Sequence, residues 1–161
     1  MKNYLLLLAV AASVSLTSCG NDDDEVVTKS KTELLTASGW KTTALTINPA
    51  YDFDGDGVKE TDLLAGQLAC NTDDITVYKT DKTYTEEEGA TKCDPADQQV
   101  YGNGTWTFNG DETVLSTTAA GSGNTATNYT ITELTESTLK LTTIFTDSAS
   151  TNYTVSITNT H

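Results

Sequence analysis

The second half of the chain alternates apolar and polar residues with a period of two. Trp106 and Phe108 alternate with threonines, and Tyr129 and Ile131 do the same further along. Because successive side chains of a strand point to opposite faces, this alternation predicts strands with one buried face. Asn109, followed by a glycine, ends one of these runs and is typical of a hairpin. The pattern predicts eight strands, near residues 40–47, 74–79, 82–87, 104–109, 113–119, 126–133, 137–145 and 150–158.

The predicted class is all-β, with a short helix before the first strand. Ser30 and Glu33 have the spacing of a capping box, which predicts a helix over about 30–36. The 32 threonines favour half-exposed strands. Short connections make the strands antiparallel neighbours in chain order. Eight such strands with one apolar face close into an up-and-down barrel, which removes the sheet edges. A two-sheet β-sandwich is the alternative.

Residues 1–18 have the features of a removable export signal. Lys2 supplies a positive charge, and a short apolar run follows it. That run cannot span the roughly 30 Å core of a bilayer as a helix. It ends at Leu16-Thr17-Ser18-Cys19, which resembles the lipobox of bacterial lipoproteins. The resemblance implies cleavage before Cys19 and a lipid anchor on that residue; the alternative is an ordinary signal peptide with a chance cysteine.

Residues 19–29 are predicted to be an acidic tether to a domain that covers residues 30–161. The run from Asp22 to Glu25 resembles the signal that sends lipoproteins of Bacteroidetes to the outer face of the outer membrane; a plain solvated tether is the alternative. Loss of Lys2 with the leader lowers the net charge from −14, and the chain has no arginine. This charge argues against nucleic acid as a partner, because affinity for nucleic acid depends on Lys and Arg at the phosphates.

Cys70 and Cys93 are the two cysteines that remain once Cys19 is lipidated. A disulfide is the default state of such a pair in the oxidising compartment of an exported protein. Closure of the intervening loop would stabilise the fold by about 3 kcal/mol. A metal pair is the alternative, and it is disfavoured because the single histidine is the last residue, His161.

Residues 48–70 are predicted to be an insertion that contains an aspartate-rich loop. Carboxylates at alternate positions, with glycines that permit a sharp turn, are typical of loops that wrap Ca2+. The predicted ligands are Asp52, Asp54, Asp56, Glu60 and the carbonyl of Val58. Leu63 stands where an EF-hand has its bidentate glutamate, so we expect modest affinity. The alternative is a solvated acidic loop.

A set of short sequence pieces over residues 30–158 allows a comparison with a known family. Besides the lipobox, they are Leu35, Gly39-Trp40, Cys70-Asn71-Thr72-Asp73-Asp74, Cys93, Gly104-Thr105-Trp106 and Leu134 to Leu141. Together they resemble the lipocalin-like lipoproteins of Bacteroidetes. Lipocalins have Gly-x-Trp, whereas Gly39 directly precedes Trp40 here, and they pack a late arginine over that tryptophan. Trp40 and Trp106 are predicted to lie in the core or barrel floor, with ligand contact as the alternative.

The residues do not indicate an enzyme. The single histidine is the last residue, which argues against Ser-His and Cys-His catalytic arrangements. A barrel of eight strands encloses either packed side chains or one small ligand. The first functional hypothesis is therefore a cell-envelope binding module for a small, mostly apolar ligand. The alternative is a surface interaction or accessory protein with a filled barrel, which acts through its loops.

Overall fold

The computed structural model describes residues 28–161. A helix, α1 (Lys31–Leu35), precedes the strands. The Ser30 hydroxyl accepts a hydrogen bond from the Glu33 N–H, and the Glu33 carboxylate accepts one from the Ser30 N–H at 2.8 Å. This is the predicted capping box. The elements that follow are β1 (Trp40–Tyr51), β2 (Glu60–Asp62), α2 (Ala69–Thr72), β3 (Ile75–Tyr78), β4 (Thr83–Glu87), β5 (Val100–Phe108), β6 (Val114–Ala119), β7 (Thr127–Leu134), β8 (Thr138–Thr146) and β9 (Asn152–Thr160).

Eight of the strands close into an antiparallel barrel. They are β1 and β3 to β9, which pair in chain order. β1 closes the ring because it pairs with β9 on one side and with β3 on the other. The barrel prediction is confirmed. β2 is an additional strand that pairs with the C-terminal half of β1, between Thr46 and Tyr51. Closure gives each of these eight strands a partner on both sides, which limits the free edges that could recruit another chain.

β1 differs from the prediction in length and in its partners. It was expected to stop before Pro49 but continues to Tyr51 through a cis peptide bond before that proline. β1 pairs with β3 over only two residue pairs, at Trp40 and the residue after it. Beyond them, β2 pairs with β1 instead, and the Leu63 N–H donates to the Leu45 carbonyl at 2.8 Å. The 48–70 insertion therefore covers a gap between β1 and β3.

Apolar side chains fill one end of the barrel, which we call the floor. Its fully or almost fully buried members are Leu35, Trp40, Trp106, Leu115 and Leu139. The Trp40 indole N–H donates to the Leu35 carbonyl at 2.8 Å, which ties α1 to β1. The Trp106 indole N–H donates to the Lys79 carbonyl at 3.0 Å. Both indoles are thus buried with their polar group satisfied, as buried tryptophans require.

His161 covers the outer side of the floor. Its ring centroid lies 3.9 Å from that of Trp40, and its Nδ1 lies 2.9 Å from the Gly39 carbonyl oxygen. Its Nδ1 also contacts the Ser38 hydroxyl at 2.5 Å. The chain has no arginine, and the ring that packs on Trp40 from this side is the imidazole of His161.

The disulfide prediction is confirmed. Cys70, in α2, is bonded to Cys93, with 5.2 Å between their Cα atoms. Close by, the Asp73 carboxylate accepts hydrogen bonds from the Thr91 N–H and hydroxyl, both at 2.9 Å. These links hold the segment that covers the β1–β3 gap against the long connection between β4 and β5.

Candidate ligand site in the barrel

A cavity of about 130 Å³ lies inside the barrel. We call it the barrel cavity. Ten side chains from β1, β3, β4, β6, β7, β8 and β9 line it: Thr42, Thr76, Tyr78, Tyr84, Glu86, Thr117, Tyr129, Leu141, Ile157 and Asn159. They alternate along their strands with residues of the outer face, so the strand period places them inside. The lining combines aromatic faces, two aliphatic side chains, hydroxyl groups and one carboxylate.

Two glycines of β5 make room for the β4 side chains in this lining. Tyr84 is paired with Gly104 across the two strands, and Glu86 is paired with Gly102. A Cβ at position 104 would lie 2.6 Å from Tyr84 Cε1, and one at position 102 would lie 3.0 Å from Glu86 Cβ and still closer to its carboxylate. Real Cβ atoms do not approach so closely. The two β4 side chains therefore lie over bare backbone.

The cavity is electrostatically negative. Glu86 is the one charged residue in its lining. Burial raises the pKa values of Tyr78, Tyr84 and Tyr129, and the negative charge of Glu86 raises each further. These phenols consequently stay protonated at neutral pH, and each can donate as well as accept a hydrogen bond.

Asn159 lines the barrel cavity and links β9 to β8 and β1 through hydrogen bonds of its side-chain amide. It is the one buried polar residue of the described chain, at 8 % exposure. Its amide nitrogen donates to the Leu139 carbonyl at 3.3 Å, and its amide oxygen accepts from the Thr42 hydroxyl at 2.9 Å. Since both ends of the amide have partners, Asn159 is held in place without a ligand.

A second cavity of about 190 Å³ adjoins the first and shares Thr42 and Thr76 with it. It lies in the β1–β3 gap, under the segment that carries α2. Its lining includes Asp74 and Tyr101, whose hydroxyl lies 3.1 Å from the Asp74 carboxylate. The gap thus continues the barrel cavity toward the surface.

A larger depression, of about 490 Å³, lies elsewhere. Thr130, Thr142 and Thr154 line it, and they alternate with the inward residues of β7, β8 and β9. It is therefore a groove on the outer wall. Its lining contains neither charged nor aromatic side chains, so we place the candidate site in the barrel cavity.

The sequence named Trp40 and Trp106 as possible ligand contacts, but the structure places neither in the lining of the barrel cavity. Trp106 packs edge-on against Tyr78 with 6.0 Å between ring centroids, and Lys82 Nζ lies 3.9 Å above its ring. Both tryptophans belong to the floor. The aromatic lining consists of three tyrosines, Tyr78, Tyr84 and Tyr129, which were not predicted as ligand contacts.

Glu86 was not predicted as a site residue, because it lies near the end of the predicted strand 82–87 and begins a run of three glutamates. Its partner glycine, Gly102, lay outside the predicted strand, which began at residue 104. The alternation of Gly102, Gly104 and Trp106 was the available signal. If the predicted strand had been extended from residue 104 to residue 102, this alternation would have placed two glycines opposite β4.

The aspartate-rich loop brings together three of its predicted ligands. One carboxylate oxygen from each of Asp52, Asp54 and Glu60 lies within 4.8 Å of the other two. The Asp52 carboxylate also accepts hydrogen bonds from two glycine N–H groups of the loop. Asp56 is not in this group, and its carboxylate accepts a hydrogen bond from the Val58 N–H at 2.7 Å. The prediction of Ca2+ stays a prediction, now centred on three carboxylates.

The predicted anchor residue, Cys19, and the tether up to residue 27 lie outside the described residues. Among residues 28–161, no helix has the length and apolar character needed to cross a membrane.

The fold and its internal cavity define a small all-β barrel of the lipocalin-like class. The model of the family described as "Lipocalin-like domain" matches residues 37–141, and the chain belongs to that family. No curated protein matches the chain.

Solved structures of bovine odorant binding protein are similar to the chain in fold. The complex with a selenium-containing odorant has 12% identity and a TM-score of 0.42, over 83% of this chain and 73% of that chain. The complex with undecanal has 14% identity and a TM-score of 0.41, over 84% and 76%. A deswapped triple mutant has 11% identity and a TM-score of 0.41, over 77% and 72%.

Proposed function

We propose that this protein binds one small, mostly apolar ligand in the barrel cavity and catalyses no reaction. The observation that carries this proposal is the cavity itself, about 130 Å³ of space above a closely packed floor. An apolar cavity of about 150 Å³ is known to hold benzene, so the expected ligand has the size of one ring or a short chain. Membership of the lipocalin-like family supports the same function.

The lining suits a ligand with an apolar body. Leu141 and Ile157 offer aliphatic contacts, and three tyrosine rings offer flat faces. Removal of apolar ligand surface from water would supply the binding energy, at roughly 25 cal/mol per Å². The hydroxyl groups of the lining would orient the ligand, as the few polar groups of most small-molecule sites do.

We infer that the protein works at the cell envelope. The lipobox ending at Cys19 supports a lipid anchor, and the acidic run after it supports display on the outer face of the outer membrane. Two or more acyl chains anchor a protein stably, whereas one does not. A barrel on such a tether would meet ligands outside the cell before they cross the membrane.

The proposal is tested by measuring ligand binding to a variant with a blocked cavity. Thr117→Phe, on β6, places a ring in the barrel cavity, whereas Thr118→Phe places it on the other face of the same strand. Isothermal titration with a panel of benzene-sized compounds should show binding to the wild type and to Thr118→Phe. Thr117→Phe should bind at least tenfold more weakly.

Methyl resonances of the wild-type protein provide a second readout that needs no variant. Bound ligand should shift the signals of Leu141 and Ile157, which line the cavity, and leave Ile144, which is 60% exposed, unchanged. Failure of the whole panel to bind, or equal binding by Thr117→Phe, would overturn the proposal.

A surface interaction function is the second candidate, favoured by apolar side chains on the long connections. Phe53 is 65% exposed, and Val58 and Leu68 are exposed to a similar degree, all in the 48–70 insertion. Such side chains on a loop held by a rigid barrel can dock a protein partner. Cross-linking on intact cells should capture a specific partner that a Phe53→Ser variant loses. Equal capture by both would contradict this candidate.

A further inference from the structure

We propose that the ligand of the barrel cavity carries a protonated amino group, which Glu86 recognises. The inference rests on the proposed function and names the chemical class of the ligand: a small amine with an apolar body.

The first support is the position of the carboxylate. Glu86 lies on β4 at an inward position, paired with Thr76 on one side and with Gly102 on the other. The missing side chain at Gly102 leaves space that the carboxylate fills, because a Cβ there would collide with it. The carboxylate therefore lies against the backbone of Gly102, on the inner face of the strands.

The second support is that no lysine of the described residues forms an ion pair with Glu86. Within residues 28–161, the ion pairs are Lys29 with Glu136 and Lys140 with Glu133, and neither involves Glu86. Among the described residues, the Glu86 side chain makes no hydrogen bond, and its carboxylate oxygens are not fully buried, so a ligand can reach them. Glu86 is half-buried, so a cationic ligand that pairs with its carboxylate would make a charge-assisted hydrogen bond that is partly shielded from water.

The third support is the surroundings of the carboxylate. Tyr78, Tyr84 and Tyr129 place aromatic rings around the same cavity, and an ammonium group is attracted to such faces. Hydroxyl oxygens of Thr76 and Thr117 are available to accept further N–H bonds. Leu141 and Ile157 remain for the apolar part of the ligand.

The net charge of the whole chain also favours a cationic ligand over an anionic one. A net charge of −14 raises the local concentration of cations and repels anions. A fatty acid or other carboxylate would place a second negative charge beside Glu86, and the described lining has no lysine to offset it. The cavity therefore selects against acids and in favour of amines.

The test compares three ligands of one skeleton: benzylamine, benzyl alcohol and benzoate. They are titrated into the wild type, into Glu86→Gln and into Glu87→Gln. Glu87 is the matched control, because it is the next carboxylate on β4, does not line the cavity and accepts a hydrogen bond from Thr85 at 2.6 Å. Both variants remove one negative charge, and glutamine keeps the shape of the side chain.

The wild type should bind benzylamine at least tenfold more tightly than benzyl alcohol, and benzoate more weakly than either. Glu86→Gln should lose the preference for the amine but still bind the alcohol, whereas Glu87→Gln should keep the preference. Equal affinity of the wild type for amine and alcohol, or equal loss of preference in both variants, would overturn the inference and leave the proposed function intact. Failure of every compound, including the apolar panel, would overturn both.

Discussion

Gly104→Ala should destabilise the protein, although alanine normally stabilises a strand relative to glycine. The added Cβ would lie 2.6 Å from Tyr84 Cε1, and closer still to the backbone oxygen of Thr118. The oxygen belongs to β6, which pairs with β5 at this point, so it cannot move without opening the ladder. Overpacking of this kind costs about 1–3 kcal/mol.

Gly110→Ala is the matched control for this prediction. Gly110 lies in the β5–β6 hairpin, six residues further on, and a Cβ there meets no atom within 4 Å. Its φ angle is outside the left-handed region that penalises alanine. The same chemical change should therefore stabilise the protein by about 0.4–1 kcal/mol, since alanine restricts the unfolded chain.

Urea denaturation of both variants, followed by fluorescence of the tryptophans, measures the two free energies of unfolding. The midpoint should fall for Gly104→Ala and rise slightly for Gly110→Ala, with an unchanged slope. If Gly104→Ala is as stable as the wild type, Tyr84 and the backbone of β6 can move away from the added Cβ at little energetic cost. The claim that bare β5 positions shape the barrel cavity would then be refuted.

Two further predictions concern pH and calcium. Burial raises the pKa of Tyr78 above its usual 10.0, so the unfolded chain releases this proton first and stability should fall as the pH rises above about 10. Urea denaturation at pH 8 and pH 11, together with tyrosinate absorbance, measures this loss of stability. Full ionisation of the tyrosines without any fall in the free energy of unfolding would contradict the prediction. Calcium should raise the melting temperature of the wild type over a chelator control but not that of Asp54→Ala, because Asp54 is one of three grouped carboxylates. An equal calcium shift in both proteins, or none in either, would mean that the loop binds no calcium.

Local patterns in the sequence were sufficient for the elements and for much of the floor. The capping box at Ser30, the hairpin after Phe108 and the strands of the second half follow from interactions between residues close together in the chain. Trp40 and Trp106 could be expected in the core because burial of an indole is favourable in any packing of these strands. The pairing of Cys70 with Cys93 followed from the compartment, since only two candidate cysteines remained.

The 48–70 insertion shows where local reasoning failed. The sequence indicated a boundary at Pro49, because proline after asparagine usually ends a strand. β1 nevertheless continues, since the partner there is β2 from the insertion itself. This pairing joins residues across a loop whose own sequence indicates only a turn and a possible cation site.

The period of two was sufficient to predict antiparallel strands with one apolar face, because that period is a property of each strand alone. Three other features follow only from the folded barrel: the ring closes through β1 and β9, Gly102 lies opposite Glu86, and an internal space remains above the floor. These facts depend on register between strands and on the sum of side-chain volumes around the ring. Strand register and summed side-chain volume both depend on residues far apart in the chain. The candidate site therefore could not be predicted from any single segment.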